Sequence, residues 1–394
     1  MVDGAVRGVA GTVAVAVLTF AVAGCAGGPA DKAVTSTPTT VAAASEPITR
    51  PSCETPVPAA WQSAIDKSVV DTGGVSNVPM AVGRRGEVAV ARDNGDARDL
   101  VLIGVDKSVT DIYPVPEPEL HQIGAVSMDD RWVVAGVAHA PRGANGVIPT
   151  LMRIDVVDRQ GGPVRTVTES PPEDFESGGP TIDSVALFGG KVYWITRDTY
   201  AGNAGKIQSY DLNTGTVTDV ASGEMRNVRT TAAGLAWDVG WDENTGPRAE
   251  LKIPDALPPM VAGAVGTGRD QFTLVTDGNS YAWATTAQQG GPAISYWSPN
   301  GGLVRITGKV PAAADTELLP LFVVGPYVVV AKGRDDRDTS AAVIDARSGA
   351  LVYLRPSVGG ADGGTIGIGI GEAQKSPPTS VGVLRVDTLP PLTC

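Results

Sequence analysis

The sequence predicts an all-β chain, a seven-bladed β-propeller closed by an N-terminal strand, with six blades as the alternative. Three observations lead there. A tight turn followed by an alternating apolar strand recurs seven times, at intervals of about 45 residues. Between recurrences lie further short strand–turn–strand patterns, so each repeat holds about four antiparallel strands. Finally, residues 61–67 form the only helix candidate, and it is short.

The seven recurrences are residues 84–91 (RRGEVAVA), 128–135 (MDDRWVVA), 188–195 (FGGKVYWI), 232–239 (AAGLAWDV), 277–284 (DGNSYAWA), 324–331 (VGPYVVVA) and 362–369 (DGGTIGIG). Turn formers occupy the second and third positions of each, and a half-buried strand pattern follows. Apolar runs such as 79–82, 182–187 and 319–323 precede the turns, so each turn joins a β-hairpin. Aromatics recur in the second strand: Trp132, Tyr193, Trp194, Trp237, Tyr281, Trp283 and Tyr327. Packing between blades is their expected role.

A second hairpin follows in several repeats. Residues 207–220, 294–306 and 342–354 show it best. Two of its turns share the pattern Asp-x-x-Thr/Ser-Gly, at Asp211 to Gly215 and Asp345 to Gly349, where Gly permits positive φ. These two hairpins resemble those of YVTN and quinoprotein-type propeller repeats, a resemblance covering roughly residues 65–390. It implies the propeller fold. No cofactor-binding constellation accompanies it, and no cofactor is expected.

In the last repeat the strands are expected at 366–371 and 381–387, and Pro390-Pro391 ends the chain before an outer strand. The unassigned stretch 68–71 (SVVD) can supply that strand and close the ring. Cys53 and Cys394 would then lie beside the seam. An exported protein meets oxidising conditions, so the two are expected to pair. The bridge would close a loop of about 340 residues, worth at most about 5–6 kcal/mol in the chain-entropy model.

The N-terminal region reads as an address. Residues 1–8 carry Arg7, and 9–24 are an apolar run too short to favour a membrane span but suited to a signal peptide. It ends in Val22-Ala23-Gly24-Cys25, which resembles the lipobox of bacterial lipoproteins. The resemblance implies cleavage before Cys25, a diacylglyceryl group on it, and attachment at the extracytoplasmic face of the cell membrane. Residues 25–60 are rich in Ala, Thr, Ser and Pro without apolar period, and read as a disordered tether in which 35–49 could carry O-linked sugars. Residues 61–394 are then a single propeller domain.

Composition narrows function. The formal net charge of −12, from 31 basic and 43 acidic residues, argues against nucleic-acid binding. Only two histidines exist, His121 and His139, and each reads as an ordinary polar residue. No G-x-S-x-G elbow supports a Ser–His–Asp triad. Asp335-Asp336-x-Asp338 and Asp93-x-x-Asp96 lack the Gly and terminal Glu of an EF-hand loop, so no metal site is expected.

The long polar loops 93–98, 139–147, 197–204, 241–248 and 332–338 all fall on one face of the ring, joined there by 114–120 and the acidic 168–179. The best candidate site on it is aromatic plus charged: Tyr200, Trp241, Asp242, Glu243, Arg142 and Arg334. A Trp beside carboxylates suits sugar or peptide recognition. The expectation is a monomeric, non-catalytic binding or scaffold module for an envelope protein, peptide or glycan. The alternative is an envelope enzyme, either a glycan hydrolase or lyase or a quinone-dependent dehydrogenase, with a central-pocket site.

Overall fold

The computed structural model describes residues 46–143, 151–170, 180–198, 204–231, 234–242, 246–252, 257–265, 273–285, 293–311, 321–330, 341–371 and 378–394. The chain enters through β1 (Ile48–Pro51), β2 (Cys53–Glu54), helix α1 (Ala59–Ser68) and β3 (Val69–Val70). The first complete sheet is the antiparallel meander β4 (Ser76–Val82), β5 (Val88–Asp93), β6 (Arg98–Ile103) and β7 (Val109–Pro114).

A ten-stranded antiparallel run follows. It comprises β8 (His121–Met128), β9 (Trp132–His139), β10 (Leu151–Asp158), β11 (Arg165–Glu169), β12 (Thr181–Phe188), β13 (Lys191–Arg197), β14 (Ala204–Asp211), β15 (Val217–Thr231), β16 (Gly234–Asp242) and β17 (Gly246–Lys252). Two joints hold this run together. β10 meets β12 through the single pair Leu151–Ile182. β15 pairs with β14 along residues 217–224 and with β16 along 225–231.

After helix α2 (Pro259–Ala264) come two more meanders. These are β18 (Val275–Thr276), β19 (Tyr281–Thr285), β20 (Ala293–Ser298) and β21 (Gly302–Thr307), then β22 (Leu321–Val324), β23 (Tyr327–Val330), β24 (Ala341–Asp345) and β25 (Ala350–Leu354). The last sheet is β26 (Ser357–Asp362), β27 (Thr365–Ile370) and β28 (Ser380–Arg385). β3 completes it from the N-terminal side, with Val70 opposite Val381 and Val69 opposite Gly382.

Buried side chains lie between consecutive sheets. Val133, Ala135 and Val137 pack on Ala89 and Leu100 of the first sheet. Ile294 and Ile306 meet Val328 and Ile344. Val70, Val381 and Val383 of the last sheet meet Val88, Val90 and Ile103 of the first. Meanders stacked face to face in chain order, with the first on the last, make a β-propeller. Trp132, Tyr193, Trp194, Trp237, Trp283 and Tyr327 are all buried in these layers.

The turns follow from their residues. The Asp211 carboxylate accepts the amides of Asn213 and Thr214 at 2.9 and 3.0 Å. Asp345 accepts the amide of Arg347 at 2.9 Å. Each closes a side-chain-to-backbone ring that a Gly at φ +70 or +81° then completes. β26 (SVGGAD) has no apolar period, because proximity decides its residues. A Cβ on Gly359 would lie 2.0 Å from the Pro79 carbonyl of β4, and one on Gly363 2.3 Å from the Gly86 amide. The innermost strands of the first and last sheets fit together only where side chains are absent.

The tether expected over 25–60 is shorter at its C-terminal end. Residues 48–51 lie parallel to β21, with Ile48 opposite Val304, and Cys53–Glu54 lie parallel to β25. Edge addition uses backbone groups alone, so it leaves no apolar pattern in sequence. Residues 1–45, with Cys25, lie outside the described residues.

The chain ends do meet. Cys53 and Cys394 are disulfide-bonded with Cα atoms 5.9 Å apart. The tail has further anchors. Trp61 Nε1 donates to the Pro390 carbonyl at 3.0 Å, Ser348 Oγ to that of Leu392 at 2.7 Å, and the Leu392 amide to buried Asp345 at 3.0 Å. Trp61 is fully buried, edge-on to Tyr327 at 5.2 Å.

Candidate binding surface at the loop-rich end of the sheets

The second strands of the first three meanders finish at Asp93, His139 and Arg197, and β16 finishes at Asp242. Up-and-down topology puts these ends, and the starts of β8 and β12, at one end of the sheets. That end is where the sequence placed its candidate site. Tyr200, Glu243 and Arg334 fall outside the described residues. Trp241 and Asp242 form the end of β16, with backbones opposite Pro247 and Gly246. Arg142 lies in the turn after β9. The structure thus describes Arg142 fully, places two others on one strand end, and leaves three aside.

Arg142 belongs to a built ionic cluster between the first two meanders. Its Nη1 donates to both carboxylate oxygens of Asp93 at 2.9 Å, and its Nε lies 3.1 Å from Glu119 Oε2. Arg98 approaches Asp93 from the other side, Nε to Oδ2 at 3.0 Å. Its Nη1 caps the carbonyls of His121 and Ala140 at 2.9 and 2.7 Å. Burial alone would raise the Asp93 carboxyl, but hydrogen bonds from the Gly95 amide, Arg142 and Arg98 outweigh it and hold the group below the ordinary carboxylate range. Asp93 in turn raises the Arg142 guanidinium. Arg142 Nη2 has no acceptor among the described residues, and the side chain remains about a quarter exposed, at 24%.

A second cluster underlies the β16 strand end. Arg197 Nη2 donates to Asp183 at 2.7 Å, and Asn227 Nδ2 to Asp238 at 2.8 Å. Burial raises the Asp238 carboxyl and pushes the Arg229 guanidinium down to about 10. Asp238 lies on β16 three residues before Trp241, so this buried charge sits close to the strand end.

Both histidines join the first cluster, which their separate positions in sequence did not suggest. His121 opens β8 and His139 closes β9, directly opposite each other, with ring centroids 5.7 Å apart. A usable signal existed: the two stand nearly equidistant from the Asp129-Asp130 turn, as cross-strand partners in a hairpin must.

No protein-family model matches the chain, and no curated protein matches it. Several solved structures are similar in shape. An oligogalacturonate lyase in complex with manganese is 12% identical over 78% of this chain and 89% of that one, with a TM-score of 0.46. A catalytically inactive virginiamycin B lyase from Staphylococcus aureus with quinupristin is 11% identical over 80% and 97%, at 0.43. The Neurospora crassa Pan2 WD40 domain is 10% identical over 86% and 94%, also at 0.43. Likenesses this remote carry no argument about activity or ligand, and the fold stands on its own sheet order and packing.

Proposed function

We propose that this chain is a lipid-anchored lipoprotein of the extracytoplasmic membrane face, whose seven-bladed propeller is a non-catalytic binding module for an envelope protein, peptide or glycan. Seven blades result when the ten-stranded run is divided at its two joints, β10–β12 and the bend within β15. That division gives three blades beside the four separate sheets. Val22-Ala23-Gly24-Cys25 after the apolar run 9–24 supports the anchor. The Cys53–Cys394 bond suits the oxidising compartment this implies.

The observation that carries the binding reading is Arg142. Asp93 and Glu119 fix its guanidinium in place, and the side chain is still about a quarter exposed at the end of the sheets where β5 and β9 finish. A guanidinium held rigid before its partner arrives loses little entropy on binding. It matches a carboxylate, carbonyl or sugar hydroxyl of the partner.

The test uses the full protein expressed in a bacterium that processes lipoproteins. Wild type should fractionate with membranes and retain a specific partner after cross-linking in envelope extract. Cys25→Ala should move to the soluble fraction. Arg142→Ala, checked for fold by circular dichroism, should retain several-fold less partner. A Cys25→Ala protein still in the membrane fraction refutes the anchor, and undiminished capture by Arg142→Ala refutes the surface.

A further inference from the structure

The geometry points to a metal site at the His121–His139 pair, one that takes a single imidazole-seeking late first-row cation such as Zn²⁺, Cu²⁺ or Ni²⁺. His121 Nδ1 lies 2.9 Å from the Pro116 carbonyl. A carbonyl oxygen only accepts, so Nδ1 carries the proton and Nε2 of the neutral ring holds a bare lone pair. That lone pair is buried, in a residue only 7% exposed, and no donor among the described residues reaches it. An unpartnered buried acceptor is costly, and natural structures rarely leave one without a use. A backbone carbonyl on the far ring nitrogen is also the usual orienting partner of a metal-ligating histidine.

His139 supplies the second ligand. It pairs with His121 across the β8–β9 ladder, and its Nδ1 is likewise buried without a partner. Two imidazole nitrogens on one ion, each at about 2.0–2.1 Å, put their ring centroids roughly 5–6 Å apart. The observed separation is 5.7 Å with rings inclined at 62°. The nearest cations do not oppose the ion at full strength, because Asp93 countercharges Arg98 and Arg142, and Glu119 pairs with Arg142 a second time. Among the described residues no third carboxylate, thiolate or imidazole joins the pair. The remaining positions on the ion therefore fall to water or to an exogenous donor. Imidazole chemistry selects late transition metals over Mg²⁺ and Ca²⁺.

Calorimetric titration of the purified full-length protein with Zn²⁺, Cu²⁺, Ni²⁺ and Ca²⁺ tests this. One site is expected for the first three ions and none for Ca²⁺. His139→Ala and His121→Asn should each weaken binding by about tenfold or more, as loss of a ligand or its support does. Because His121→Asn can perturb β8, a spectroscopic readout on the His139 variant accompanies it. The Cu²⁺-loaded wild type should show electron-paramagnetic coupling to two imidazole nitrogens, and His139→Ala to one. No binding by wild type, equal affinity in a folded His139→Ala, or two-nitrogen coupling that survives that change would each overturn the site.

Discussion

Removing the bridge between the chain ends should cost several kcal/mol although it leaves the other contacts of the chain ends in place. The perturbation is the double variant Cys53→Ser/Cys394→Ser. The bonded residues are 341 positions apart. In the chain-entropy model, closing a loop of that size lowers the entropy of the unfolded chain by about 20 cal/mol/K, or about 6 kcal/mol at 25 °C. The folded state keeps its other clasps, since Trp61–Pro390, Ser348–Leu392 and Asp345–Leu392 need no sulfur. The loss therefore comes from the unfolded side, and about 4–6 kcal/mol is expected. With about 2.1 cal/mol/K of unfolding entropy per residue over roughly 350 residues, this lowers Tm by about 5–8 °C. Differential scanning calorimetry measures it, with a thiol titration confirming the wild-type bridge. A shift under about 1 °C, with a native circular dichroism spectrum, would refute the reasoning. The chain ends would then not be coupled to the cooperative unfolding of the rest.

Two other perturbations have equally definite expectations. The Asp93 carboxyl is depressed in the folded state, so its contribution is present above the ordinary carboxylate value and is lost as pH falls through the depressed one. Asp93→Asn should then lower the unfolding free energy at pH 7 by about 1–3 kcal/mol, and the difference should shrink as pH falls below the ordinary carboxylate range, read by urea denaturation at each pH. Gly363→Ala places a Cβ 2.3 Å from the Gly86 amide and 2.4 Å from the Arg84 carbonyl at φ +53°, whereas Gly189, at φ +57°, faces open space. Urea denaturation should find about 2–4 kcal/mol lost at Gly363 and about 1 kcal/mol at Gly189; equal costs would show that the β4–β5 and β26–β27 turns do not press together.

The sequence disclosed what depends on pattern and hid what depends on contact. Turn formers before alternating strands were visible at every repeat, and 68–71 could be read as a closing strand because Val69 and Val70 are apolar and otherwise unassigned. The burial of Trp194, Trp237 and Trp283 followed from their regular place in the second strand. β26 was not visible, because backbone proximity to β4 selects Gly359 and Gly360 over the apolar residues that mark a strand. β1 and β2 were not visible because parallel edge pairing asks nothing of side chains. Helix α2 (Pro259–Ala264) was not visible, since residues 61–67 were the only helix candidate. Of the candidate site, the loop-rich end was legible from loop length and polarity. That Arg142 would be held by Asp93, 49 positions away, was not. Nor was the meeting of His121 and His139, since each was weighed alone rather than by its distance from the turn between them.

The disulfide also decides how the molecule bears a load. Tension applied between the N-terminal side of residue 46 and Cys394 enters at β1, reaches Cys53 and passes directly across the sulfur bridge. Every sheet between lies inside a covalent ring and outside the line of force. Peeling β1 from β21 can lengthen the chain by only a few residues before the pull meets a covalent bond. A single peptide-bond cut within the ring would leave both fragments joined through Cys53–Cys394.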